Sequence, residues 1–199
     1  LYQIDFNQMW AGLFSTAKTD PLSTTVTYSG HPAEFYFSPT DDAIDAIIQH
    51  VNAATTSIDF AIFFFTDDEL RDALIAAKSR GVTIRGLWDN LGAANSFSED
   101  ETLCNAGVTV KIEDTIGKMH HKFMVVDADT LTPRTITGSM NWTGAGNRRN
   151  NENTIVLHDP AVALGFKDGF NAMWDASGPD TTCRADHQTY IPLLLETTS

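Results

Sequence analysis

Basic side chains are scarce in this sequence of 199 residues. Lys and Arg together number 13 against 26 Asp and Glu, which leaves a net charge of −13. Broad, sequence-independent binding to nucleic acid depends on neutralising phosphates with Lys and Arg, so the composition argues against it. A small basic cleft is still compatible with these numbers.

Long apolar runs are also absent. None approaches the roughly 20 residues that cross a bilayer, so no stable transmembrane anchor is expected. The first residues lack both the basic start of a signal peptide and an initiator Met, which indicates a processed or cut piece of a longer chain. Hydrophobic residues make up 42% of the sequence, enough for the core of one domain.

Cysteine is almost missing, with Cys104 and Cys183 as the two examples. They have no C-x-x-C spacing and no companion ligands for zinc, so no metal site is expected from them. A single disulfide and two buried thiols both stay open. The acidity, with many Thr, Ser and Asp, favours an exported protein, so an extracellular or periplasmic location is expected.

Apolar strands alternate with amphipathic helices along most of the chain. Ile44, Ile47 and Val51 give one predicted helix its apolar face, and the nearly continuous apolar run 57–65 is typical of a buried strand. The pattern predicts a layered α-β-α fold with a mixed, largely parallel sheet. Predicted strands cover 33–38, 57–65, 82–88, 108–112, 119–127, 134–141 and 153–157, and a closing helix covers 160–174.

A five-residue pattern, F-N-x-M-W, occurs at residues 6–10 and again at 170–174. Because Trp and Met are rare, an internal repeat explains the match better than two unrelated helix ends with Phe and Trp anchors. Residues 1–20 are then the tail of a preceding repeat, and the Ser-, Thr- and Pro-rich residues 21–33 are a linker. The domain itself is predicted over 34–178, with a C-terminal tail over 179–199.

The chain is organised around the stretch from Met119 to Asp127. It places His120, Lys122 and Asp127 at the spacing H-x-K-x4-D. Strand alternation puts His120 and Lys122 on one face and leaves Asp127 off that face, so Asp127 is expected to support the site rather than touch substrate. Alone, the motif is weak, since a buried strand with polar residues at its start would look the same.

Two downstream segments strengthen that motif. Gly138-Ser139-x-Asn141 ends the next predicted strand, with Ser139 and Asn141 on one face, and Glu152 begins the last strand. Each segment alone is a weak signal, but in this order and on adjacent strands the three together are a specific one.

From Phe35 to Trp174 the sequence resembles the phospholipase D superfamily, the HKD phosphodiesterases. The family's His, Lys and Asp match His120, Lys122 and Asp127. Its Gly-Ser-x-Asn and its downstream Glu match Gly138, Ser139, Asn141 and Glu152.

The chemistry of these residue types agrees with the resemblance. His120 can act as nucleophile and form a phosphohistidine, with Glu152 holding its other ring nitrogen. Lys122 and Asn141 can donate to the phosphate oxygens, and Ser139 adds a hydroxyl. No metal or cofactor is required. Arg148, beside Arg149, is either a substrate-binding residue at the rim or part of a solvated loop.

The expected function is that of a phosphodiester hydrolase or transphosphatidylase. A phospholipid or another small diester is preferred because of the acidic composition. Alternatives are an HKD nuclease acting on single-stranded nucleic acid and a non-catalytic, phosphate-binding half-domain.

The sequence holds one HKD motif, whereas in-line displacement needs an acid on the side opposite the nucleophile. In the family, two motifs meet across a pseudo-twofold axis. The resemblance therefore implies a second HKD half, supplied by a homodimer partner or by a separate fragment.

Overall fold

The computed structural model describes residues 1–19, 24–113 and 117–178. Cys183 and the predicted tail 179–199 lie outside these residues. The strands are β1 (Thr24–Tyr28), β2 (His31–Ser38), β3 (Ser57–Ile62), β4 (Thr83–Asp89), β5 (Thr109–Glu113), β6 (Lys122–Val126), β7 (Arg134–Gly138) and β8 (Glu152–Leu157). The helices are α1 (Tyr2–Trp10), α2 (Ala43–Asn52), α3 (Asp68–Ser79), α4 (Asn90–Ala93), α5 (Asp100–Asn105), α6 (Gly144–Arg148) and α7 (Pro160–Ala176), with a 3-10 turn at Ser15–Ala17.

The described strands form one mixed sheet in the order β1-β2-β8-β7-β6-β3-β4-β5. The predicted fold class, a mixed α/β sheet with helices, is confirmed. The sheet is more antiparallel than expected, because only β3–β4 and β4–β5 pair in parallel. Parallel pairing needs a long crossover, which α3 and α5 supply there. The neighbouring strands β6, β7 and β8 need no crossover, although the segment from β7 to β8 contains α6.

This topology collects several strand ends at one edge of the sheet. Strands β2, β3, β4 and β7 end there, and the antiparallel strands β6 and β8 begin there. We call it the site edge, because His120, Ser139, Asn141 and Glu152 all lie at or next to these ends.

Helices cover both faces of the sheet, as the three-layer prediction requires. On one face, α2, α3 and α5 pack through residues such as Ile47, Leu74 and Leu103, and on the other face α7 packs through Phe170 and Trp174. The alternation predicted for β6 is confirmed by its core residues. Met124 and Val126 join the first cluster, and Phe123 and Val125 join the cluster under α7.

Part of the predicted linker is a strand. Residues 24–28 form β1 and pair antiparallel with β2, which itself begins at His31. All five residues of β1 are exposed, so this edge strand contributes little to the core. Its Ser- and Thr-rich sequence looked like a linker, yet β-branched Thr and Val suit an edge strand.

The two F-N-x-M-W segments both lie in helices, and their rings stack in the same way. Phe6 and Trp10 have ring centroids 5.7 Å apart, and Phe170 and Trp174 have theirs 5.4 Å apart. Their environments are opposite. Phe170 is fully buried and Trp174 is 8% exposed, whereas Phe6 is 50% and Trp10 is 82% exposed.

Helix α1 therefore turns its polar side to the domain. Its buried residues are Asp5 and Gln8. Asp5 accepts a hydrogen bond of 2.6 Å from the buried Lys18, and the side chain of Gln8 accepts from the Thr19 N–H. Besides these polar contacts, the ring of Tyr2 packs edge-on against the rings of Phe35 and Phe37 in β2.

Candidate active site

Lys122 and His120 meet at the start of β6. The side chain of Lys122 is buried, and its Nζ lies 3.1 Å from His120 Nδ1 while donating to the His120 carbonyl oxygen at 2.9 Å. His120 precedes the strand by two residues and is exposed. The predicted neighbourhood of imidazole and ammonium is thus present, with the imidazole open to a ligand.

Burial and nearby carboxylates act in opposite directions on Lys122. Burial lowers the pKa of Lys122, and the negative charges of Glu152 and Asp89 partly offset that decrease. The ring of Phe63 lies under both groups, 5.2 Å from Lys122 Nζ and 4.4 Å from the imidazole, measured to ring centroids. An aromatic face there favours the charged amine.

Gly138 allows the Ser139–Asn141 segment to pass close to β8. Its φ is +155°, and a Cβ at this position would lie 2.1 Å from the Asn153 carbonyl oxygen, so only glycine fits. Asn141 then accepts from the Phe64 N–H at 3.3 Å through Oδ1. This contact leaves the Asn141 amide N–H₂ to donate elsewhere.

Glu152 contacts residues other than the one predicted. Its carboxylate accepts from the Ser139 hydroxyl and from Asn150 Nδ2, and the structure has no hydrogen bond between the described side chains of Glu152 and His120. The reason is the pairing of β7 with β8, which brings Ser139 next to Glu152. The catalytic role of Glu152 stays a prediction.

Asp127 lies at the far end of β6 from His120. Its carboxylate accepts hydrogen bonds from the backbone N–H groups of residues 55–57 and from the hydroxyls of Thr55 and Thr56. Burial raises the pKa of Asp127, but these hydrogen bonds outweigh it, so the net pKa is lowered. The location agrees with a supporting role and keeps Asp127 away from a phosphate at His120.

We expect Asp127→Asn to destabilise the fold by about 3 kcal/mol, because an amide N–H₂ would face donors that now meet a carboxylate oxygen. Since the folded-state pKa is lowered, the stabilisation by Asp127 is complete above the unfolded-state value of about 3.9 and is lost as pH falls through the folded-state pKa.

Urea unfolding from pH 7 down to pH 2 measures both effects. The difference between wild type and variant should shrink below pH 4, while kcat at pH 7 stays near that of wild type. A large loss of kcat in fully folded Asp127→Asn would instead assign Asp127 to the chemistry.

Arg148 ends α6 and is exposed. No hydrogen bond or ion pair joins its guanidinium to another described residue, so the group is available to an anion. Its role in substrate binding stays a prediction. Among the described residues, no group of three or more His, Cys, Asp or Glu has the arrangement to hold a metal ion.

Sequence reasoning missed two contributors to this site, Phe63 and Asp89. Phe63 follows β3 directly, and Asp89 is the last residue of β4. Their position at the ends of neighbouring parallel strands was the only signal, since such ends share one edge of a sheet.

Comparison with known proteins identifies the family. A family model described as "Cardiolipin synthase, PLD-like domain" matches residues 47–174, more than half of the chain. The chain belongs to the phospholipase D-like family. The predicted family is therefore confirmed, and the motif residues of the candidate site all lie inside the matched range.

Relatives and solved structures of this family agree with one another. The mitochondrial cardiolipin hydrolase of Chlamydomonas reinhardtii is 32% identical over 139 residues, covering 70% of this chain and 60% of that protein. The Homo sapiens protein of the same name is also 32% identical over 139 residues, covering 70% of this chain and 54% of that protein. The chain thus spans less than two thirds of either hydrolase.

The phospholipase D family member Nuc from Salmonella typhimurium is similar in structure, with a TM-score of 0.69 and 27% identity. The match covers 75% of this chain and 97% of Nuc. The fold described here is therefore nearly the whole of Nuc.

One prediction is wrong by this comparison. The relatives are named as mitochondrial proteins, which contradicts the expected extracellular or periplasmic location. Acidity and a high content of Thr, Ser and Asp describe a solvated surface, and a solvated surface does not specify a compartment. No helix among the described residues has the length and apolar character needed to cross a membrane.

Proposed function

We propose that this chain is a phosphodiester hydrolase of the phospholipase D type, with His120 as the nucleophile. One observation carries the proposal: an exposed imidazole is held beside a buried ammonium, His120 Nδ1 to Lys122 Nζ at 3.1 Å, at the site edge. The family assignment and the names of the relatives agree with this class of reaction.

The reaction proceeds in two displacements. A neutral ring nitrogen of His120 attacks phosphorus, the P–O bond to the leaving group breaks, and that oxygen takes a proton from an acid on the opposite side. Lys122 and the Asn141 amide donate to the non-bridging oxygens as their charge grows. Water then attacks phosphorus and gives its proton to the conjugate base of that acid, and the N–P bond breaks, which restores His120. An alcohol in place of water gives transphosphatidylation.

A phospholipid is the preferred substrate. Leu91 and Phe97 follow β4 at the site edge and are 52% and 76% exposed, which suits contact with a lipid surface. The net charge of −13 disfavours a long polyanion. The relatives' name, cardiolipin hydrolase, supports the same substrate class.

The opposing acid belongs to a second HKD motif from another phospholipase D-like unit. Helix α1 is evidence for such a partner. It carries the same Phe and Trp pair as α7, but the pair is exposed on α1 and buried on α7. Tyr2 of α1 accepts from Asn153 Nδ2 at 2.8 Å, and the Ser15 N–H donates to Asn151. These contacts flank Glu152, so a unit seated on α1 would lie beside the candidate site.

The direct test compares fluorescent cardiolipin in vesicles with labelled single-stranded DNA, both in EDTA and over a range of protein concentrations. We expect release of phosphatidic acid at least 10-fold faster than DNA cleavage, with specific activity that rises with association measured by sedimentation. Faster DNA cleavage would overturn the lipid assignment. If neither substrate is turned over, by the monomer or by the assembled protein, the proposed enzymatic function is wrong.

A further inference from the structure

The carboxylate of Asp89 is buried at the site edge and has no part in the reaction steps above. Asp89 is 2% exposed. Oδ1 accepts from the Leu91 N–H at 2.8 Å and so begins α4. Oδ2 accepts from the Met119 N–H at 2.7 Å. Met119 is the residue directly before His120.

The Met119 contact matters because His120 lies outside the sheet ladder, which β6 joins only at Lys122. Besides Lys122 Nζ, which donates to the His120 carbonyl oxygen, two hydrogen bonds hold the peptide on either side of the histidine. Asp89 fixes the N–H on one side, and the Phe63 N–H donates to the His121 carbonyl oxygen at 2.9 Å on the other side. Losing either contact frees one end of the three-residue segment that carries the imidazole.

Asp89 also acts on Lys122 through its charge. The ammonium is buried and has two negative charges near it, those of Glu152 and Asp89. Both carboxylates accept two hydrogen bonds, but Glu152 is partly exposed, whereas Asp89 is nearly inaccessible to water and therefore poorly screened.

We propose that Asp89 is the positioning residue of this active site: it fixes His120 through the Met119 peptide, and its charge supports the ammonium of Lys122. This inference rests on the proposed function for its kinetic consequences but not for its geometry. In metal sites, a residue that hydrogen-bonds to a ligating His fixes the orientation of that His in a similar way.

The test is Asp89→Asn, which keeps the shape and one acceptor oxygen but removes the charge and turns an N–H₂ toward one of the two backbone donors. We expect kcat to fall about 10- to 100-fold with little change in KM, because a displaced nucleophile reduces turnover more than binding. The basic limb of the pH dependence of kcat/KM should move to lower pH, since Lys122 loses one of the charges that keep it protonated.

Asp67→Asn is the matched control. Asp67 is also buried at the site edge, and it caps α3 by accepting from the Leu70 N–H at 3.1 Å. Asn caps a helix about as well as Asp, so this variant should keep the wild-type kcat and pH profile. A drop in melting temperature without a shifted basic limb in Asp89→Asn would reduce Asp89 to a structural cap and overturn the proposal.

A measurement without substrate separates this proposal from the proposed function. Titration of the Lys122 side chain by NMR should give a lower pKa in Asp89→Asn than in wild type, and the same pKa in Asp67→Asn. Unchanged Lys122 titration in Asp89→Asn would overturn the inference even in an active enzyme. The expected shift in a protein without turnover would support the electrostatic role and reject only the proposed reaction.

Discussion

His120→Asn should lower phosphodiester turnover by at least ~10³-fold, because the variant has no group that can form a covalent intermediate. Asn retains polar atoms near the Nδ1 position and therefore still offers Lys122 an acceptor. His120 is exposed, and the buried side chain that its ring contacts is that of Phe63. The fold should stay intact, so the loss is one of chemistry rather than stability.

The comparison variant is His121→Asn, which alters the neighbouring histidine in the same motif. His121 is exposed too, but its ring packs near Phe123 rather than against Lys122. Turnover of cardiolipin vesicles by this variant should stay within a few-fold of wild type. Residual activity of His120→Asn above a tenth of the wild-type rate would exclude His120 as the nucleophile.

Trapping of the intermediate gives a second line of evidence. Rapid acid-free quenching of wild type with ³²P-labelled substrate should yield a protein-bound label that is stable in base and lost in acid, as expected of a phosphohistidine. The label should be absent from His120→Asn and present in His121→Asn. A label on serine instead would redirect the mechanism to Ser139.

Phe170→Ala with Trp174→Ala should unfold most of the protein, whereas Phe6→Ala with Trp10→Ala should leave it folded. The substitutions act on the same five-residue pattern at the same spacing. Truncating a buried Phe or Trp costs about 3–5 kcal/mol each, and a whole domain is stable by only about 5–15 kcal/mol. Exposed rings lose little contact when truncated, so the α1 variant should change by less than ~1 kcal/mol.

The rings of α7 have partners that the rings of α1 lack. The Arg85 guanidinium lies 4.9 Å from the Phe170 centroid and 5.4 Å from that of Trp174, and Phe123 packs edge-on against Phe170. Urea unfolding monitored by circular dichroism measures the difference between the two double variants. Equal destabilisation would mean that α1 is part of this domain's core and would remove the main support for a partner seated on it.

Much of the candidate site was predictable because its signals are local. The spacing of His120, Lys122 and Asp127 is a property of one strand, and alternation along that strand assigned Met124 and Phe123 to opposite faces. The chemistry of an imidazole beside an ammonium follows from the residue types. None of these inferences needed to know which strands are neighbours.

The direction of the strands was harder to predict. Apolar runs alternating with helices suggested a largely parallel sheet, but β6, β7 and β8 pair antiparallel. Pairing depends on the path of the connections as well as on the apolar pattern. That pairing is also why Glu152 meets Ser139 rather than His120.

By itself, the sequence determined the family, the layered fold class and the residues of the HKD motif, since each depends on residue type and spacing. Only the tertiary structure decided that Asp89 holds the peptide before His120, thirty residues away in sequence. It also decided that one F-N-x-M-W pair is buried and the other exposed. The physical reason is the same in both cases: burial and hydrogen-bond partners depend on what packs against a segment, and two segments with the same sequence pattern can meet different surroundings.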